Sequence, residues 1–284
     1  MSNTKKHLLC FGFGFSARTL AQQLDPDQWT VTGTSRSAEG AAAIHALGFH
    51  AAIFDEMQSI PKTVSHIVSS VPPDANGDPV LGRFGAELAT RAASFTWVAY
   101  LSTTGVYGDH DGAWVDEETP LTPNTQRGQR RVAAEKNWLQ LHQSHALPLQ
   151  IFRLAGIYGP GRNTLLNLQE GTAKRVIREG QIFSRIHVED IAGVLRASIG
   201  KPNPGRAYNV ADDLPAPPQD VITYGAELLG LNPPPEVAFE DASLSPMARS
   251  FYADSKRVSN ARVKHELGYH FKFPDYRAGL RALL

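Results

Sequence analysis

The stretch Gly12-Phe13-Gly14-Phe15-Ser16-Ala17 carries the clearest chemistry in the chain. A glycine at its first position lets the backbone turn tightly out of a strand. A glycine at its third lets the backbone approach a large anion, and a small residue at its sixth lets the next helix pack close to that strand. A helix opened in this way aims unsatisfied N–H groups at the anion, so the pattern points to the pyrophosphate of a dinucleotide. The context is the one required: an apolar run at 8–11 precedes it, and Ala17, Leu20, Ala21 and Leu24 follow at helical spacing. Downstream, Thr32-Gly33-Thr34-Ser35-Arg36 offers no carboxylate before Glu39 to hold a ribose 2′-hydroxyl. Arg36 is placed instead to pair with a 2′-phosphate, which points to NADP rather than NAD.

The elements that must position these residues follow from hydrophobic periodicity. Residues 8–11 read as a strand buried on both faces. The helix after it ends at Asp25-Pro26, since proline disfavours a helical residue before it. Strands are expected at 29–34, 50–54, 66–69, 96–102 and 149–154. Helices are expected at 37–47, closed by Gly48, along Leu81, Phe84, Leu88 and Phe95, and along Ala134, Trp138 and Leu141 to about His145. Six strands alternating with helices predict an α/β fold with a Rossmann-type, doubly wound parallel sheet, whose ligands lie beyond the carboxyl ends of the strands. After Pro160, prolines at 202, 204, 215, 217, 218 and 233–235 cut the chain into short pieces. The expected organisation is a nucleotide-binding domain at 1–160, to which 186–211 returns, and a smaller irregular substrate lobe at 161–284.

Composition sets the outer limits. With 284 residues, 42% hydrophobic and 20% charged, the chain is apolar enough to fold around a sizeable core. Lys+Arg and Asp+Glu both number 28, and this balance argues against a nucleic-acid partner. No apolar run approaches the roughly 20 residues that cross a bilayer, and none has the form of a signal peptide, so the expected location is the cytoplasm. The single cysteine, Cys10, lies in an apolar run and reads as a buried, inert thiol. His187-Val188-Glu189-Asp190 holds metal-capable side chains, but these diverge on a turn without a supporting cluster, and no metal site is expected. Asp190 reads as the cap of a helix starting at Ile191, and Asp116-Glu117-Glu118 as a solvated acidic turn.

With the glycine-rich loop, Ser102-Thr103-Thr104-Gly105-Val106-Tyr107-Gly108 and Arg153-Leu154-Ala155-Gly156-Ile157-Tyr158-Gly159-Pro160-Gly161-Arg162 resemble the extended short-chain dehydrogenase/reductases, the NAD-dependent epimerase/dehydratase-like proteins. Ile186-His187-Val188-Glu189-Asp190-Ile191-Ala192, Tyr208-Asn209-Val210-Ala211-Asp212-Asp213 and Glu266-Leu267-Gly268-Tyr269 continue the resemblance in family order over nearly the whole chain. It implies nucleotide contacts from Gly12, Gly14, Phe15 and Ser16, an adenosine surround of Ser35, Arg36 and Asp55, and a ribose and nicotinamide path along Ser69, Ser70 and Val71. Ala155, Gly156 and Ile157 would bound the nicotinamide. Thr103 falls where the family has its catalytic Ser or Thr, and its hydroxyl either donates to the reacting oxygen or caps local backbone. A homodimer is expected by analogy alone.

The resemblance departs from the family at one place. The family pairs a Tyr with a Lys four residues later, and the Lys lowers the Tyr pKa for proton transfer. Aligned on Gly128 and Glu135, this chain puts Arg127 at the Tyr position and Arg131 at the Lys position. Arginine has no accessible neutral form, so Arg127 cannot shuttle a proton, whereas Arg131 can hydrogen-bond a nicotinamide ribose. Tyr107 and Tyr158 are either replacement donors or packing residues beside glycines. Arg127, Arg130, Arg131, Arg153 and Arg162 either line a pocket for a phosphate or carboxylate, or solvate helix faces. Two readings follow. One is an NADP-dependent oxidoreductase or epimerase-like enzyme for a small sugar-like or anionic substrate, such as a nucleotide-sugar. The other is a non-catalytic NADP-binding protein with a redox-sensing or regulatory role.

Overall fold

Seven strands form the main sheet of the computed structural model, which describes residues 5–284, one strand more than the periodicity predicted. In chain order they are β1 (Lys6–Phe11), β2 (Trp29–Ser35), β3 (His50–Ile53), β4 (His66–Ser69), β5 (Trp97–Thr103), β6 (Leu149–Leu154) and β7 (Ala207–Val210). Their spatial order is β7-β6-β5-β4-β1-β2-β3. The pairs β1–β2, β1–β4, β2–β3 and β4–β5 are all parallel. The strand order reverses around β1, where β2 lies on one side and β4 on the other, and the glycine loop leaves β1 at this switch point.

The chain divides into two compact units. The first holds the residues up to Ser102, with Arg130–Arg153 and Ile191–Tyr208. The second holds Thr103–Gln129, Leu154–Asp190 and Asn209–Leu284. The second unit thus takes in a segment from before residue 160, because Trp114–Val115 pairs with Arg257–Val258, and the backbone N–H groups of His110 and Gly112 donate to the Ser255 carbonyl.

In the first unit the helices α1 (Phe15–Gln22), α2 (Ala38–Ala46) and α3 (Pro79–Thr90) follow β1, β2 and β4, and α4 (Gln126–His145) precedes β6. Continuous apolar strands form a core in which Leu9, Phe11, Ile67, Val98, Tyr100 and Ile151 meet Phe84 and Leu88 of α3 and Trp138 of α4. Each such buried side chain contributes about 1.5–3 kcal/mol. Asp78 starts α3: one carboxylate oxygen accepts from the N–H groups of Val80 and Leu81, and the other accepts from Trp138 Nε1 at 3.0 Å. The Trp97 indole donates to Ser198 on α5 (Val188–Gly200). Cys10 is fully buried, which pushes its thiol pKa up and keeps it unreactive.

His66 is 3% exposed and lies with its ring centroid 4.7 Å from that of Trp29. Burial, reinforced by Lys6, pulls its pKa down to about 4 from 6.5. The folded state therefore gives up a proton that the unfolded state keeps between those values. Stability is expected to be full above pH 6.5 and to fall as pH drops to 4, by about 3 kcal/mol from this one residue. Urea unfolding at pH 7 and pH 4.5 checks this, and His66→Gln should flatten the difference.

In the second unit, short parallel pairs join Gly156–Tyr158 to Arg185–His187 and Arg175–Ile177 to Glu236–Ala238. Helix Pro218–Leu229 has its proline in the first turn, where the missing N–H costs nothing. Two sequence readings are corrected here. Asp190 lies inside the first turn of α5 and does not cap it. Its carboxylate accepts from the Tyr269 hydroxyl and from the N–H groups of Lys272 and Phe273, so it holds the C-terminal segment. Glu117 is not solvated: its side chain is 3% exposed, accepts from the Asn209 N–H at 2.7 Å and lies 3.7 Å from Arg262. Among the described residues no helix is long and apolar enough to cross a membrane, and no group of His, Cys, Asp and Glu gathers as a metal ion requires.

Candidate functional site

The glycine loop is shaped by three local constraints. Gly12 has a φ of +79°, a conformation side chains resist, and its N–H donates to Thr34 Oγ1 at 2.9 Å. A Cβ added there would also lie 2.8 Å from Ser70 Oγ. The Ser70 hydroxyl donates to the Gly12 carbonyl, which ties the end of β4 to the loop. Phe13 packs its ring so closely on Gly33 that a Cβ on Gly33 would lie 2.4 Å from it, and it meets the Phe49 ring at 5.3 Å.

Gly14 differs from Gly12. It has ordinary extended backbone at the start of α1, and a Cβ there would meet nothing within 4 Å. No side chain caps α1 and its first turn carries no acid. Open space over an uncapped helix N-terminus fits the pyrophosphate of a dinucleotide. Phe15 and Ser16 form that first turn, with Ser16 buried.

The remaining cofactor candidates of the first unit fall into two groups. Arg36 and Asp55 are exposed at the carboxyl ends of β2 and β3, and among the described residues Arg36 pairs with no acid. Ser35 accepts from the Ser37 N–H, and a Cβ on Gly40 would run into its hydroxyl at 2.0 Å. Ser69 is fully buried with an unpartnered hydroxyl, and Val71 packs on the core, so both shape the end of β4 from within.

At the carboxyl end of β5 a buried charged cluster appears. Ser102 Oγ donates to Glu135 Oε1 at 2.5 Å, and Arg153 Nη2 pairs with Glu135 Oε2 at 2.9 Å. Glu135 is 0% exposed and Arg153 5%. Arg153 is therefore engaged inside the first unit, which corrects its reading as a pocket arginine. A lone arginine inside the apolar strand 149–154 was the sequence signal for a buried acid. Arg131, one turn before Glu135, donates through Nη1 to the Leu101 carbonyl at 2.9 Å and to the Tyr100 hydroxyl at 3.1 Å. Its guanidinium lies over the Tyr100 ring, and its Nε is buried without a partner.

In the second unit, Thr103 ends β5 and accepts from the Gly105 N–H at 3.2 Å, a local backbone cap. That bond uses an oxygen lone pair and leaves the hydroxyl hydrogen for another acceptor. Tyr107 is fully buried and its hydroxyl donates to Asn209 Oδ1 at 2.7 Å, the situation of a packing residue. Burial raises the Tyr158 pKa, with Asp212 and Asp190 adding to the effect. Arg127 is exposed and stacks its guanidinium 5.1 Å from the Phe251 ring. Arg162 is exposed, and Ala155 is buried with its N–H donating to the Val210 carbonyl. Ile157 is half-buried in the short strand paired with Arg185–His187.

Comparison with known proteins agrees with this fold. Residues 86–211 match the model of the NAD dependent epimerase/dehydratase family. A functionally unknown conserved protein from Silicibacter pomeroyi is 54% identical, with a TM-score of 0.92 and 98% of each chain covered. The dTDP-glucose 4,6-dehydratase of Bacillus anthracis, solved in complex with NAD, is 18% identical with a TM-score of 0.77, covering 98% of this chain and 95% of its own. A human epimerase family protein solved with NADPH is 18% identical with a TM-score of 0.72, covering 98% of each chain. With its seven-stranded sheet, its glycine loop at the switch point and the family match over residues 86–211, the chain is an extended short-chain dehydrogenase/reductase-like protein, similar to the NAD dependent epimerase/dehydratase family.

Proposed function

We propose that this chain binds NADP in preference to NAD and acts on a small sugar-like or anionic substrate, a nucleotide-sugar being one such compound. The observation that carries the reading is the open space at Gly14 over the uncapped start of α1, together with an exposed Arg36 that has no acidic partner among the described residues. Gly12, Phe15 and Ser16 complete the loop around the pyrophosphate. Ser35, Arg36 and Asp55 surround the adenosine, and Arg36 meets the 2′-phosphate. Ser69, Ser70 and Val71 form the wall toward the ribose, while Ala155 and Ile157 belong to the nicotinamide end. Arg131 hydrogen-bonds the nicotinamide ribose, and Thr103 donates to the reacting oxygen of the substrate. When bound, the nicotinamide supplies or accepts the hydride.

Fluorescence titration with NADPH and NADH tests this reading. Arg36→Ala is expected to weaken NADPH binding about 10- to 100-fold and to leave NADH binding unchanged, because one charge-assisted bidentate contact is lost. Equal NADPH affinity in both proteins would rule out the assignment of Arg36.

A second reading is favoured by the tyrosines. Tyr107 is buried with its hydroxyl spent on Asn209, and Tyr158 has its pKa raised by burial. With Arg127 and Arg131 taken as standing at the family's Tyr and Lys positions, no side chain in this set readily exchanges a proton near neutral pH. That favours a redox-sensing or regulatory protein that holds its cofactor without turnover. Transfer of label from NADPH to any of a panel of nucleotide-sugars and carbonyl compounds supports the enzyme reading. NADPH binding without transfer across the panel supports the regulatory one.

A further inference from the structure

Consecutive residues of β5 are held by consecutive turns of α4. Leu101 offers its carbonyl to Arg131, and Ser102 gives its hydroxyl hydrogen to Glu135. Arg131 and Glu135 lie four residues apart on one helix, so they share a face. Arg153 then ties Glu135 to β6 through bonds from both Nε and Nη2. Every residue in the Ser102–Glu135–Arg153 chain is at least 95% buried. Apolar packing alone lets a helix shift over a sheet by small rotamer changes. Directional bonds to a buried charge allow one register only, because any slip strands that charge.

The bond from Ser102 adds a directional constraint that the ion pair lacks. Glu135 and Arg153 satisfy each other's charge without it. The serine hydroxyl bonds their pair to β5, immediately before Thr103. The opposite edge of the same contact is the Arg131 guanidinium, which rests on Tyr100 and on the Leu101 carbonyl.

We propose that Ser102 is a positioning residue. Through Glu135 it fixes the carboxyl end of β5 against α4, and so sets the places of the Arg131 guanidinium and the Thr103 hydroxyl. The functional part of this statement rests on the reading above that Arg131 meets the cofactor.

The test combines NADPH titration with side-chain ¹H–¹⁵N spectra of the arginine Nε–Hε groups in the full-length protein, assigned with Arg131→Lys and Arg153→Lys variants. In Ser102→Ala the Arg131 resonance is expected to shift or broaden, and NADPH affinity to fall about tenfold, the scale of one hydrogen bond to a charged group. Ser102→Thr, which keeps the hydroxyl, is expected to restore both. A purely structural role would lower the melting temperature and leave the Arg131 resonance and the affinity where they were, and that result overturns the proposal. Wild-type protein that binds no NADPH, with an Arg131 resonance that still moves in Ser102→Ala, supports the register lock and counts only against the cofactor reading.

Discussion

Replacing Glu135 by glutamine is expected to remove about 3–5 kcal/mol of folding stability. The carboxylate is fully buried and is the acidic partner of Arg153, whose side chain is 6% exposed. Glutamine keeps the shape and can still accept from Ser102, but it takes from the buried guanidinium the counter-charge that Glu135 supplies. That desolvated charge, more than the lost hydrogen bond, sets the size of the effect. Urea unfolding at pH 7 measures it. The double variant Glu135→Gln with Arg153→Met removes the stranded charge as well and is expected to recover most of the loss. A single-variant loss below about 1 kcal/mol would mean that water reaches the pair and that its strength is that of a surface ion pair. The same measurement on Ser102→Ala should give a smaller loss, about 1–3 kcal/mol, because the ion pair survives.

Gly14→Val is expected to leave the fold intact and to weaken NADPH binding at least about 100-fold, close to 3 kcal/mol. The two glycines of the loop make this a sharp contrast. Gly12 sits at a φ of +79° with Ser70 Oγ 2.8 Å from the position of an added Cβ, so a side chain there strains the backbone and the loop together. Gly14 has a φ of −79° and open space around its Cβ position, so valine is accommodated in the free protein. On the proposed reading the same open space is where the pyrophosphate approaches the N–H groups of α1, and a branched side chain fills it. Thermal unfolding without cofactor should therefore match wild type for Gly14→Val and fall for Gly12→Val. The titration should show NADPH affinity lost in both. Unchanged NADPH affinity in Gly14→Val would place any cofactor elsewhere.

Parts of this architecture were legible because they depend on short stretches of chain. The step from β1 through the glycine loop into α1 is encoded within residues 6–22, since strand burial, turn conformation and helix periodicity are all local. The ends of α2 and β6 fell within a residue or two of expectation for the same reason. Strand β7 was missed as a strand because it is four residues long and lies in a proline-broken region, where pairing with the existing sheet decides its state.

Other features depended on partners distant in sequence. Asp190 has the composition of a helix cap, yet its three donors come from residues 269–273. Glu117 reads as one of three solvated acids, yet the Asn209 N–H, 92 residues away, draws it into the interior. Arg153 reads as one of five arginines available to an anion, yet Glu135 holds it inside the sheet layer. In each case the residue type was visible and the partner was not. A charged group takes the environment that folding supplies, and only the tertiary structure decides whether that environment is water or an opposite charge.

By itself the sequence determined the strand–loop–helix unit of residues 6–22, the parallel α/β class and the absence of an acid at the end of β2, because each is set by residue type and local spacing. The tertiary structure alone decided which of the two loop glycines has room for a ligand, which arginine is spent on a buried partner, and how Ser102 links β5 to α4. Those outcomes require contacts such as Gly12 with Ser70 and Ser102 with Glu135, which form only when segments 58 and 33 residues apart are packed together.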